Sequence, residues 1–155
     1  MSRPLLAVPH RVEAFAGGCL PACLQMALAF FGLDWPQERI ASQIGHIAGA
    51  GTPARNVVRL SAPGIRVSYV AQGTLAQVEQ SLAEGGVPIL FVRTGELPHW
   101  EEDTAHALVI VGIENDVVII HDPAFEHAPI PVPIDDFSLA WYELGNQWAT
   151  VARKA

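Results

Sequence analysis

Gly17-Gly18-Cys19-Leu20-Pro21-Ala22-Cys23-Leu24-Gln25-Met26 is the stretch from which the rest of the chain is read. Two glycines break the backbone and mark the end of a loop. A cysteine follows at once, and good helix formers then continue through Phe31 to Gly32. Leu24, Ala27, Leu28 and Phe31 fall at helical spacing, which predicts a largely buried helix over residues 21–31. Pro21 suits the first turn, where its missing N–H costs nothing. Cys19 therefore sits at or just before a helix N-terminus, where unpaired N–H groups and the positive end of the helix dipole favour a thiolate. A cysteine so placed can be a nucleophile. The simpler reading is a buried, inert thiol, since free cysteine is among the most buried residue types.

The chain around this stretch has 155 residues, half of them hydrophobic and 16% charged. That is enough for one domain with a real core, over residues 1–155, and too apolar for disorder. A net charge of −7 and a pI near 5.2 disfavour nucleic acid or an anionic membrane as partner. No apolar run reaches the roughly 18–20 residues of a membrane span, and residues 1–10 lack a charged-then-apolar secretory pattern. Cys19 and Cys23 lie four apart on one expected helix face, where a disulfide would be strained. A zinc site would need about two more ligands at matching spacing. Neither a metal nor another cofactor is expected, and two reduced thiols suggest a cytoplasmic setting.

Helical patterns dominate the first half. Asp34 is the expected cap and Pro36 a first-turn residue of a helix running to about residue 44. Residues 46–52 are small and glycine-rich, and 53–60 read as a short helix. Residues 74–83 form another helix, with Thr74 as N-cap. Strands are expected at 65–70, 87–92, 106–113, 117–121 and 148–152, and a short helix at 135–144. Residues 96–104 are an acidic loop, with His99 read as solvated. Helices first and antiparallel strands later argue for an α+β fold.

The second informative stretch is His106-Ala107-Leu108-Val109-Ile110-Val111-Gly112, an apolar strand opened by a histidine. The third is Val118-Ile119-Ile120-His121-Asp122-Pro123, where an acid closes the returning strand. Asn115-Asp116 makes the turn between them, so the two strands form a hairpin with His106 and Asp122 near its open end. A carboxylate beside an imidazole fixes its tautomer and supports its charged form. With Cys19, that is the nucleophile, base and orienting-acid set of a thiol hydrolase. Taken singly each residue has a plainer reading: a structural histidine, a turn aspartate, a packed thiol. A metal patch of His121 and His127 near Asp122 is a weaker alternative.

Together, Cys-Leu-Pro-Ala-Cys-Leu-Gln-Met, His-Ala-Leu-Val-Ile-Val-Gly and Asp-Pro resemble, in order and spacing, the papain-like bacteriocin-processing cysteine peptidases and their stand-alone relatives. The resemblance spans residues 8–125. It implies a papain-like fold, with a central nucleophile-bearing helix among N-terminal helices packed on an antiparallel sheet. It also implies Cys19 as nucleophile, His106 as general base and acid, Asp122 as orienting acid, and Cys23 as a packing residue. Leu20, Trp100 and Ala105 are expected in the substrate groove.

Two departures stand out. Leu20 replaces a common glycine, and Glu13 occupies the position six residues before the nucleophile. There the family carries a glutamine whose amide donates to the oxyanion, and an ionised carboxylate cannot donate. Protonation of Glu13, a shifted loop or substitution by Gln25 would each restore a donor.

The expected activity is hydrolysis of a peptide bond in a peptide or protein, with leader peptides the substrate suggested by the resemblance. The alternative is a catalytically impaired domain that binds peptides. The sequence leaves the oligomeric state open.

Overall fold

The computed structural model describes residues 4–155. Helix α1 spans Cys19–Phe30, and Leu20 to Leu28 are buried except Gln25. A helix apolar nearly all round must lie inside the molecule, and α1 packs on one face of the sheet. Gly32, at φ 87°, then turns the chain away.

Helix α2 is Gln37–Ile44. Its N-cap position is held by Pro36 in extended conformation with no side-chain cap, so the expected capping by Asp34 is not found. Asp34 lies two residues too early to reach the first-turn N–H groups. A 3-10 turn follows at Ala54–Arg59 and strand β1 at Ile65–Val70. Helix α3, Leu75–Ala83, starts with a complete capping box: Thr74 Oγ1 accepts from Gln77 N–H, and the Gln77 side chain accepts from Thr74 N–H.

Strands β2 (Val87–Arg93), β3 (Ala105–Glu114), β4 (Val117–His121) and β5 (Ile130–Pro133) precede helix α4 (Ile134–Tyr142) and strand β6 (Trp148–Arg153). The six strands form one sheet in the order β1-β6-β2-β3-β4-β5, with every neighbouring pair antiparallel. The last strand thus inserts between the first two.

Central strand β3 is covered on both faces, which explains its unbroken apolar run. Ala107, Val109 and Val111 belong to the core under α1, while Leu108 and Ile110 belong to the core with Phe137 and Trp141 of α4. Asn115, at φ 53°, turns the β3–β4 hairpin. The hairpin register shifts between Ile110 and Gly112 through a β-bulge. The entry segment docks there: Leu6 N–H donates to Val111 O at 2.9 Å. A Cβ on Gly112 would lie 2.4 Å from Leu5 Cδ2, so glycine admits this close approach.

Candidate active site

The open end of the β3–β4 hairpin delivers His106 and Asp122 to one place. Asp122 is fully buried, and a buried carboxylate must have its lone pairs satisfied. It accepts four hydrogen bonds. Oδ1 takes His106 Nε2–H at 2.7 Å and Ala124 N–H at 3.0 Å. Oδ2 takes His99 Nε2–H and Trp100 Nε1–H, each at 2.8 Å. Burial alone would raise the Asp122 pKa, but the bonds from His106, His99 and Ala124 hold it well below the ordinary carboxylate range.

His106 is 7% exposed. Burial works against its charged form, yet the Asp122 bond and the Cys19 side chain outweigh it, and the imidazole pKa rises to about 9. With Nε2 on Asp122, Nδ1 is the nitrogen left for another partner. The Cys19 side chain supports the charged imidazole, and the two residues line one cavity.

Cys19 is the first residue of α1, partly exposed, while Cys23 one turn on is fully buried. Burial, together with the nearby Cys19, Asp122 and Glu13, pushes the Cys23 thiol well up. A thiol-specific reagent on the folded protein should therefore react once, at Cys19, and reach Cys23 only after denaturation; peptide mapping would check this.

Gly18 precedes Cys19 because of space, not backbone angle. A Cβ there would sit 2.8 Å from Phe15 O and 2.9 Å from its ring. Gly18→Ala should lower stability by about 1–3 kcal/mol and displace the start of α1. Thermal unfolding together with the Cys19 labelling rate would show both effects.

Cys19 and His106 border a cavity of about 430 Å³, also lined by Leu20, Ala105, Phe91 and Leu144. Leu20 and Ala105 thus share a cavity with Cys19 and His106. Trp100 does not line this cavity. It is bonded to Asp122, and its ring packs edge-on against His106 at 4.9 Å.

A family model, the Peptidase_C39 like family, matches residues 5–149. The chain belongs to this family. The family and the fold are those of cysteine peptidases. Three solved structures share the papain-like architecture. A C39-like peptidase candidate from Bacillus anthracis superposes with a TM-score of 0.79 at 16% identity, covering 100% of this chain and 99% of that one. The peptidase domain of Streptococcus ComA, a bifunctional ABC transporter of a quorum-sensing pathway, gives 0.70 at 17%, covering 94% and 98%. A double-glycine-motif protease from an AMS/PCAT transporter, in complex with its leader peptide, gives 0.66 at 23%, covering 96% and 92%. No curated protein matches the chain.

In this C39-like chain the segment carrying Glu13 is pinned on all sides. Gln37 Nε2 donates to Val12 O and its Oε1 accepts from Ala14 N–H, each at 2.9 Å. Glu13 N–H itself donates to Pro123 O at 2.9 Å. The Glu13 carboxyl is half-buried and its pKa is raised, chiefly by burial. The His106 charge and the Gly18 N–H pull the other way, and Asp122 adds to the rise. Glu13 is therefore near enough to feel the charges of His106 and Asp122. Gln25 is engaged elsewhere: its amide donates to Trp35 O at 3.1 Å and accepts from Gln37 at 2.9 Å.

His99, read as solvated, is bonded to Asp122 instead, and His10 Nε2 reaches the Asp122 carbonyl at 3.0 Å. His121 is tied to Val8 O at 2.8 Å, so it is engaged by the entry segment. Among the described residues, no cluster of three or more His, Cys, Asp or Glu is placed to hold a metal ion. The missed signal was the pair His99-Trp100, two N–H-bearing rings just upstream of the strand that carries His106. A buried carboxylate needs such donors.

Proposed function

We propose that this chain is a papain-like cysteine peptidase that hydrolyses a peptide bond, with peptides of the leader class as substrates. The observation that carries the reading is one continuous array: Asp122 bonded to His106, and His106 next to Cys19 at the rim of a cavity. In the proposed reaction Cys19 Sγ attacks the scissile carbonyl carbon. The thiol proton passes to His106 Nδ1. As the C–N bond breaks, His106 returns that proton to the leaving amine, and a thioester remains on Cys19. Water, deprotonated by His106, then cleaves the thioester and restores the thiol. Asp122 holds the imidazole in place and stabilises its cation. The backbone N–H at Cys19 supplies part of the oxyanion hole, as helix N-termini can. The complex of the AMS/PCAT protease with its leader peptide supports a peptide as occupant of the groove.

Glu13 favours a second reading, a domain that binds peptides with impaired catalysis. A thiol-directed activity-based probe separates the two. Labelling at Cys19 that disappears in His106→Ala supports the peptidase. Labelling that follows exposure alone, unchanged in His106→Ala, supports the binding domain.

A further inference from the structure

We propose that a trough between α3 and the β1–β6 strand pair binds an elongated carboxylic acid, its carboxylate at Arg66 and Arg153 and its hydrocarbon body toward Trp148. The trough has a volume of about 960 Å³, at the upper end of the range of small-ligand sites, about 300–1,000 Å³. It lies at the opposite end of α1 from Cys19, with Phe30 in its wall, and shares no lining residue with the cavity at Cys19. The inference therefore stands apart from the peptidase reading.

Strand register sets its shape. Arg66 lies opposite Ala152 and Val70 opposite Trp148, so these four share one face of the sheet. The two pairs are four residues apart, about 13 Å at roughly 3.3 Å per residue. Val70, Trp148 and Ala152 give an apolar floor between them. Gln77, Gln80, Ser81 and Glu84, at spacings of three, four and seven, are one face of α3 and form the wall. Phe31 closes the cationic end, with the Arg153 guanidinium 5.3 Å from its ring centre.

The polar groups of the wall are already engaged. The Ser81 and Thr150 hydroxyls bond each other at 2.6 Å. Gln77 Oε1 accepts Thr74 N–H at 3.1 Å, and the Gln80 amide donates to Glu84 Oε2 at 3.0 Å. The guanidiniums are different: among the described residues neither Arg66 nor Arg153 pairs with a carboxylate. The chain carries a net charge of −7, yet three of its nine lysines and arginines, Arg66, Arg153 and Lys154, fall at this end of the β1–β6 pair. A carboxylate there gains charge-assisted bonds that match the planar guanidinium fork. Its hydrocarbon body covers the apolar floor. Glu84 on the facing wall opposes a second negative charge, which favours a carboxylate over a dianionic phosphate.

The test is a titration of the full chain with sodium octanoate, followed by calorimetry and by amide chemical shifts. Octanoate should bind with a Kd on the order of 0.1–1 mM. The amides of Gly85, Gly86, Thr150 and Ala152 should shift, and those of Cys19 and Leu20 should stay in place. Octylammonium should not bind in the trough, and 1-octanol should bind at least about threefold more weakly than octanoate. Arg66 and Arg153 are exposed, so removing their charge leaves the fold intact. Arg66→Gln and Arg153→Gln should each weaken octanoate about twofold to fivefold, and the double variant about tenfold. Ala152→Phe, which fills the trough from its floor, should remove binding.

Equal affinity for octanol or octylammonium would overturn the site, as would an unchanged Kd in the double arginine variant. Shifts confined to other parts of the molecule, or none at about ten times the expected Kd, would overturn it too. Tighter binding of octyl phosphate than of octanoate at alkaline pH would overturn the choice of a carboxylate head.

Discussion

Asp122→Asn should lower kcat by on the order of 10²–10⁴ and move the alkaline limb of activity down from about pH 9. The reason is charge. The His106 imidazole titrates near 9 because the attraction of Asp122 and Cys19 exceeds the cost of burying the cation. An amide at position 122 keeps the volume and loses the charge. His106 should then lose its proton closer to its ordinary value of 6.5. A pH–rate profile of kcat/KM and an NMR titration of the His106 ring give two independent readouts. An alkaline limb unmoved by the substitution would mean that some other group holds the imidazole charge.

The same substitution should destabilise the fold. The amide oxygen of Asn can keep one pair of bonds, but its nitrogen would face either His106 and Ala124 or His99 and Trp100 and can accept from neither, so two buried donors are orphaned. Breaking a buried pair by removing one partner costs about 3–5 kcal/mol, or roughly 6–20 °C of Tm in a chain of this size.

The pH dependence of wild-type stability has a definite sign. Raised in the fold, His106 contributes stability that is full below 6.5 and lost as pH rises through about 9. Asp122, lowered in the fold, contributes stability that is full above 3.8 and lost as pH falls below it. Stability from the pair is therefore greatest between about pH 4 and 6.5, and Asp122→Asn should flatten Tm against pH on both sides of that window.

What the sequence made legible was local. The apolar runs, the glycine stops and the Asn115-Asp116 turn correspond to strands and helices within a residue or two, and α+β with antiparallel pairing follows from their order. Thr74 and Gln77 form the capping box because both partners lie within one turn. What could not be read depended on distant groups. The insertion of β6 between β1 and β2 is a long-range pairing with no local mark. The need for glycine at 112 comes from the approach of Leu5, more than a hundred residues earlier in the chain. Gln37 looks like an ordinary helix residue, yet its amide fixes the backbone either side of Glu13. His99 and Trp100 lie in an acidic loop whose composition suggests solvent, and only the fold turns them onto Asp122. Acidic neighbours are a weak guide to a histidine's exposure, because one side of a loop can be wet while the other closes over a carboxylate.

Glu13→Gln should raise turnover on a cleaved peptide at neutral pH, by up to 10²–10³ if the added amide reaches the oxyanion as a full donor. The change is nearly isosteric, and the backbone around position 13 is held by Gln37 and Pro123 whatever the side chain is. Its effect therefore isolates the chemistry of the group. A carboxylate next to Cys19 opposes the negative charge that develops on the carbonyl oxygen, whereas an amide N–H stabilises it. Because burial raises the Glu13 pKa, its protonated form, which can donate, persists to higher pH than for a solvated glutamate. The advantage of the glutamine variant should shrink as pH falls toward that range and widen above it. A folded-state carboxyl raised above 4.5 also disfavours folding once it ionises, so Glu13→Gln should raise Tm modestly at neutral pH and leave it unchanged in acid. Turnover that is unchanged or lower across the whole profile would place Glu13 outside the oxyanion position or give the carboxylate a role of its own. A rise in Tm with no rise in turnover would separate its electrostatic cost to the fold from any part in the reaction.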